Sequence, residues 1–350
     1  MGKIPLGDNM TPFEFLYYLG YSIKMRHAIK NQKSLPHKVI SIGNITLGGT
    51  GKTPATMAVA EEAKKRGFSP CILTRGYKGK ADGPCFVSIG KGPILDEYQA
   101  GDEAILMAKK LKGIPVVKSK NRFDAGIFAI QNLKSNFFFI LDDGFQHRSL
   151  FRDKDILLLD GKNPFGNRRL LPIGSLREPI NCIGKADIIV ITKTDKTISQ
   201  NSEIRNQKSK IDSLIKEIKQ YNTKARIFFA GHRPLKFTTT TGNTYPIDWA
   251  KDKKFFGFCG IGNPRSFRET LLSADMGLTG FKFFRDHHRY SPRDMRAITK
   301  DAESTGAEWI VTTEKDIMRL NGLDTQENLV VLEIEFTIEE GFYNEVFTFT

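Results

Sequence analysis

The run Gly48-Gly49-Thr50-Gly51-Lys52-Thr53 has the composition of a phosphate cradle. Glycines let backbone N–H groups turn inward onto phosphate oxygens, and a following helix adds the positive end of its dipole. Lys52 would then neutralise the β- and γ-phosphates, and Thr53 would offer a hydroxyl to Mg²⁺. The general Walker pattern wants glycine five residues before Gly51, where Thr46 stands; Gly48 and Gly49 compensate. Such a loop needs a carboxylate at the end of a neighbouring strand to organise the cation. The apolar run 136–141 supplies one, ending in Asp142-Asp143-Gly144, with Gln146 and His147 in the next turn.

Further groups could add chemistry. Gly101-Asp102-Glu103 opens a helical stretch, where acids can serve the helix dipole alone. Arg177-Glu178-Pro179 follows the Pro-Ile-Gly-Ser loop at 172–175 and could be a plain surface ion pair. Asp286-His287-His288 has the makeup of a proton relay or of a metal-ligand pair. Thr192-Lys193-Thr194-Asp195 resembles the base-reading motif of GTPases. No switch-type Asp-x-x-Gly precedes it, since Asp142 to Phe145 has the wrong spacing. A P-loop GTPase or nucleotide-dependent metallochaperone is therefore the alternative enzyme reading.

These residues need elements to hold them. Short apolar runs at 39–45, 70–74, 114–118, 136–141, 155–160 and 186–192 read as strands, and 54–66 and 102–111 as helices between them. The alternation predicts an α/β fold with a mostly parallel sheet of P-loop NTPase type. Residues 196–225 are polar and Lys-rich and read as an outer helix. Residues 227–247 are β-branched around Gly242-Asn243 and read as a β-hairpin linker. Strands at 254–259, 308–312 and 329–334 build a second, smaller α/β unit. The expected division is 1–226, a two-stranded β linker at 227–250, and 251–350.

The chain of 350 residues carries 53 Lys+Arg against 39 Asp+Glu, a formal charge of +14 that asks for an anionic partner. No helix-turn-helix, RNA-recognition or zinc motif accompanies the charge, so nucleic acid is not expected. Cys71, Cys85, Cys182 and Cys259 are far apart and form no CxxC pair, which fits a reducing compartment. No stretch of about 18 apolar residues is present to cross a membrane. Asp8 and Glu14 stand before the first apolar stretch, and Leu6 occupies the Ser/Thr position of a myristoylation signal. Neither a secretory signal nor a lipid anchor is expected. Residues 12–30 read as an amphipathic helix with Phe13, Leu16, Tyr17, Gly20 and Ile23 at helical spacing. Lys24, Arg26, Lys30, Lys33 and Lys38 follow with no acid among them. An aromatic helix leading into a basic run suits an anionic membrane surface.

In series, these motifs resemble the tetraacyldisaccharide 4'-kinases, the lipid A 4'-kinases of Gram-negative bacteria. The likeness runs through Gly43-Asn44, Gly48 to Pro54, Thr74-Arg75-Gly76-Tyr77, Gly101-Asp102-Glu103 and Asp142 to His147. It continues through Leu176-Arg177-Glu178-Pro179, Gly260 to Pro264, Asp286-His287-His288 and Thr312 to Asp316. Ala104 departs from the family's proline, and Pro-Ile-Gly-Ser from its more usual Pro-Ala-Gly-Pro. The resemblance implies transfer of the ATP γ-phosphate to the 4'-hydroxyl of a tetraacylated glucosamine disaccharide 1-phosphate, with Mg²⁺. It implies a peripheral protein on the cytoplasmic face of the inner membrane, expected to be a monomer, with the helix at 12–30 as its membrane element. In this frame Thr46 to Thr53 hold the nucleotide, and Thr53, Asp143 and Glu178 hold or orient Mg²⁺ beside Asp142. Asp102 is the expected base, tuned by His287. Arg75, Arg122 and Arg177 would clamp phosphate charge, with Glu103 and His147 as further site residues.

Overall fold

Strand β1 (Val39–Gly43) is buried along its whole length, because β5 (Phe137–Asp142) and β6 (Lys154–Asp160) pair with it in parallel on either side. Val39, Ile40 and Ile42, with only the small Ser41 and Gly43 beside them and no polar–apolar alternation in burial, suit a strand covered on both faces. The structure is a computed structural model and describes residues 10–133, 135–194, 203–320 and 322–349. The readings at Leu6, Asp8 and Asp195, and the start of 196–225, lie outside these residues.

Around β1 the larger half adds β2 (Ser69–Thr74), β3 (Cys85–Ile89), β4 (Pro115–Lys118) and β7 (Ile188–Thr192). The order is β7-β6-β1-β5-β2-β4-β3, parallel except for the edge strand β3. Helices α1 (Pro12–Lys30), α2 (Lys52–Lys65), α3 (Glu97–Ala100), α4 (Asp102–Lys110), α5 (Arg122–Leu133) and α6 (Glu203–Tyr221) belong to this half. Thr11 caps α1: its hydroxyl accepts from the Glu14 N–H, and the Glu14 carboxylate accepts from the Thr11 N–H in return. Pro12 at the first helical position completes a strong start signal.

A single long strand carries the chain into the smaller half. The first residues of β8 (Arg226–Thr239) pair in parallel with β7. From Ala230 onward β8 pairs antiparallel with β13 (Leu329–Ile338). Here β10 (Lys254–Cys259), β11 (Gly277–Phe283) and β12 (Trp309–Thr313) join β13 in the parallel order β11-β10-β12-β13. Helices α7 (Pro264–Ser273), α8 (Pro292–Ser304) and α9 (Glu314–Met318) pack on them. The turn at Gly242-Asn243 forms, joining β8 to the short β9 (Thr244–Pro246). The two strands that cross between the halves are nevertheless β8 and β13, not the β8–β9 hairpin. Residues 251–350 also do not stay together. Helix α10 (Phe342–Phe347) returns to the larger half, where Phe342 and Val346 are buried with Val59 and Ala60 of α2.

This topology sets the carboxyl ends of β1, β2 and β5 beside one another, the edge at which open α/β sheets bind ligands. Helix α4 starts at the same edge, and Gly101 before it has φ +93° and ψ 147°. A Cβ at Gly101 would lie 2.4 Å from the Tyr77 carbonyl oxygen. Gly101→Ala should therefore cost roughly 1–3 kcal/mol of stability, from strained backbone and clash together. A lower urea or thermal midpoint would record it; an unchanged midpoint would mean the α4 entry is freely adjustable.

Candidate active site

A cleft of about 1830 Å³ lies between the halves. Its wall comprises α1, the loop 47–54, segments 74–78 and 142–148, and, from the smaller half, residues 261–273, 286–287 and 313–315. Gly51 caps α2 with φ +85°, a left-handed conformation that glycine tolerates at little cost. It turns the loop so that α2 begins at Lys52 with its N-terminus at the cleft. Lys52 Nζ donates to Asn44 Oδ1 at 3.3 Å and lies 3.7 Å from Asp143. The Thr50 hydroxyl is buried without a partner. Thr46 is buried beneath the loop and bridges Leu176, so it supports the cradle from below.

Asp142, at the end of β5, accepts from Thr56 and Thr74 at 3.3 and 3.0 Å. Burial, with Glu103 and Asp143 nearby, pushes its carboxyl above the ordinary range. Burial would also raise Asp143, but Lys52 and Arg177 outweigh it and hold that carboxyl low. Arg177 donates to both Asp143 oxygens at 2.9 Å. A buried carboxylate next to a partly exposed one, with threonine hydroxyls at hand, forms an all-oxygen donor set that suits Mg²⁺. Among the described residues no three His, Cys, Asp or Glu side chains group as a metal cage. Glu178 is not brought to this pair. Its carboxylate is 1% exposed and saturated by Tyr21, Lys185 and Gln146. Its place is behind Gln146 and Arg177, which of the two expected parts, holding or orienting Mg²⁺, favours orienting.

Asp102 and His287 do meet across the cleft, with His287 Nδ1 2.9 Å from Asp102 Oδ2. Asp102 is buried, and His287 lines the cleft in front of it. Arg319 donates to the same oxygen through Nε, at 3.1 Å, and through a second guanidinium nitrogen. Burial opposes ionisation of Asp102, but His287 and Arg319 outweigh it and leave the carboxyl far below the usual range. Arg319 also donates to the Gly260 carbonyl and to Asp316. Asp316 in turn accepts from Tyr290 and Thr313. Glu103 pairs with Lys315 of the smaller half. His288 turns away from the cleft partner: it lies 3.3 Å from Asp294 and stacks on Phe284.

Arg75 and Arg122 both line the cleft. Arg122 is buried, donates to the Ser119 and Asp142 carbonyls, and leaves its Nε without a partner. His147 accepts from the Arg122 N–H at 3.4 Å and contacts the Ser149 hydroxyl at 3.1 Å. Lys193, of the GTPase-like run, pairs with Asp160. At the cleft mouth α1 buries Glu14 and Met25 and leaves Phe13, Leu16 and Ile23 60% or more exposed. The expected apolar stripe is thus divided, because Tyr17 and Tyr21 face the protein and donate to Arg177 and Glu178. Lys38, expected in a basic run without acids, faces Asp153 at 2.8 Å.

The tetraacyldisaccharide-1-P 4'-kinase (LpxK) family model matches residues 8–348. The chain belongs to this family. The tetraacyldisaccharide 4'-kinase of Syntrophus aciditrophicus is 38% identical over 289 residues, covering 82% of this chain and 76% of the relative. That of Desulfotalea psychrophila is 33% identical, covering 91% and 88%. The crystal structure of the "apo" form of LpxK from Aquifex aeolicus in complex with ATP superposes with a TM-score of 0.74. It is 31% identical and covers 96% of each chain. The fold of that kinase accordingly extends to this chain.

Sequence reasoning missed Arg319 as a site residue and gave Lys315 no role. The signal was present: Arg319 lies three residues after Asp316, which places both on one face of a helical turn. His147 yields a pH prediction. Burial, with Arg122, Arg152, Lys24 and Arg75 around it, lowers its imidazole to about 3. An unfolded histidine titrates near 6.5. Between about 6.5 and 3 the unfolded chain takes up a proton that the folded site refuses, so stability falls as pH falls; above that window the group contributes no slope. His147→Gln should therefore lose less stability than the wild type between pH 7 and pH 5, by up to about 1.4 kcal/mol per pH unit. Parallel pH curves in denaturant titrations would contradict this.

Proposed function

We propose that this protein transfers the γ-phosphate of ATP to the 4'-hydroxyl of a tetraacylated glucosamine disaccharide 1-phosphate, a step of lipid A biosynthesis. The observation that carries the reading is one cleft holding a phosphate loop, an acidic pair and the cross-cleft Asp102–His287 contact, with an exposed apolar helix at its mouth. The loop amides and Lys52 would bind the β- and γ-phosphates. Arg75, Arg122 and Arg177 would add positive charge around the transferring group. Thr53 and Asp143, with Asp142 beside them, would hold Mg²⁺, which when bound screens phosphate charge.

The sugar hydroxyl proton goes to the Asp102–His287 pair. His287 is the member that faces the cleft. Asp102 fixes the imidazole through Nδ1 and stabilises the cation that forms, a division of labour common to carboxylate–histidine pairs. Asp102, pinned by Arg319, therefore acts through His287 and is not itself the first acceptor. We further treat 1–226, 227–250 and 251–350 as the functional division, modified by the return of α10 to the larger half. Among the described residues no helix is long and apolar enough to cross a membrane. Helix α1 with Lys24, Arg26 and Lys30 would dock on an anionic bilayer at the cytoplasmic face of the inner membrane, with the protein acting as a peripheral monomer.

The test is transfer of label from γ-labelled ATP to a tetraacyldisaccharide 1-phosphate in detergent micelles. His287→Ala should lower kcat by about 10²- to 10⁴-fold, the usual range for loss of general base function, and Asp102→Ala, which removes the carboxylate that orients it, by a comparable factor, while nucleotide affinity is kept in both. Near-normal turnover would sink the assignment, and preference for GTP without lipid phosphorylation would favour a GTPase. Asp143→Ala should raise the Mg²⁺ concentration needed for half-maximal nucleotide binding; an unchanged titration would remove Asp143 from the metal site.

A further inference from the structure

Two tyrosines one helical turn apart on α1 reach into the machinery behind the phosphate site. Tyr17 donates its hydroxyl to the Arg177 carbonyl at 2.9 Å. Tyr21 donates to Glu178 Oε2 at 2.6 Å. The other carboxylate oxygen, Oε1, accepts from Gln146 Nε2 at 2.7 Å. Gln146 Oε1 accepts from Arg177 at 3.2 Å, and the same Arg177 nitrogen grips Asp143. The path from the exposed helix to the acidic pair is therefore unbroken, and each link is a hydrogen bond of ordinary length.

The path has a definite polarity. The Gln146 amide also donates to the Asn44 carbonyl, just ahead of the phosphate loop, so its orientation is fixed from two sides. With Oε1 forced toward Arg177, the guanidinium has one low-energy place, against Asp143. Glu178 is the hub, a carboxylate buried almost completely and kept in place by donors alone. Taking the Tyr21 donor from this buried charge leaves Oε2 with one partner, toward which the carboxylate can swing. Lys185 on Oε2 is that partner, and it lies on the side away from Gln146.

We propose that Tyr17 and Tyr21 are positioning residues for phosphate transfer: from the membrane-docking helix they fix Arg177 and Gln146, and through them the Asp143 carboxylate. The phosphate site would then be in register only when α1 is seated. This rests on the kinase reading, because it takes Asp143 as the metal-side carboxylate. It goes beyond that reading by giving α1 a part in the chemistry as well as in docking.

The experiment uses the full-length protein, Tyr21→Phe and Tyr17→Phe, with Glu178→Ala for comparison. Binding of a fluorescent ATP analogue is titrated with Mg²⁺, and partition onto vesicles containing anionic phospholipid is measured by sedimentation. Thermal unfolding checks that the variants fold. Tyr21→Phe should need about five- to tenfold more Mg²⁺ for half-maximal nucleotide binding, with vesicle partition within about twofold of wild type. Glu178→Ala should show the same defect, and the double variant little more than Glu178→Ala alone, since both act on one path. In the transfer assay kcat should fall while KM for the lipid holds. An unchanged Mg²⁺ titration in Tyr21→Phe overturns the proposal. So does a defect confined to lipid KM or vesicle partition, which would make the tyrosines lipid contacts. If the wild type itself transfers no phosphate to the lipid, the kinase reading fails; a wild type that does, beside an unaffected Tyr21→Phe, fails the positioning claim alone.

Discussion

The site depends on a buried carboxylate that neither half of the molecule can satisfy alone. Asp102 stands at the start of α4 in the larger half, and Arg319 and His287, which neutralise and orient it, both come from the smaller half. A buried charge deprived of its partner costs about 3–5 kcal/mol, so the two halves are held in one relative position at this point. Gly101 brings the backbone close enough to Tyr77 to aim Asp102 across the cleft. On the far side, Asp316, Tyr290 and the Gly260 carbonyl anchor Arg319. The strands β8 and β13 make the arrangement possible, since they carry one sheet through both halves.

Electrostatics then divide the cleft. Near the loop, Lys52 and Arg177 answer Asp143, while Asp142 has only hydroxyl partners and is pushed toward protonation. Phosphate and a divalent cation entering together would satisfy both signs at once. The net charge of +14 that first asked for some anion is thereby given direction. Part of it lines the cleft, and part sits on the C-terminal half of α1, next to an apolar surface made by Phe13, Leu16 and Ile23. A helix that presents apolar side chains to its surroundings and tyrosine hydroxyls to the protein joins the two environments that a lipid kinase must work between.

The phosphate loop and the Asp142-Asp143 turn were legible in residue types and spacing, whereas the Asp102–His287 pairing was expected only through the family resemblance. Most strands were legible as well, since buried parallel strands are continuous apolar runs. The edge strands β3 and β11 were not. Cys85–Ile89 mixes polar and apolar residues, and Gly277–Phe283 carries two glycines and stays half-buried. Arg319 was passed over because its three-residue spacing from Asp316 gains meaning only once the fold buries both. Glu178 was legible as a carboxylate that holds or orients the metal, but not which of the two, because a motif does not say which way a side chain points. The division of the chain was misjudged at its end, since nothing in 342–347 says which core Phe342 will enter.

The central claim is that Asp102 and His287 act as one unit across the cleft. The most direct measurement is kcat for lipid phosphorylation in Asp102→Ala, His287→Ala and the double variant, with ATP saturating. Groups that act together lose their effect once, so the double variant should be no slower than the worse single variant by more than about threefold. Losses that multiply in the double variant, or a His287→Ala enzyme close to wild type, would contradict the account.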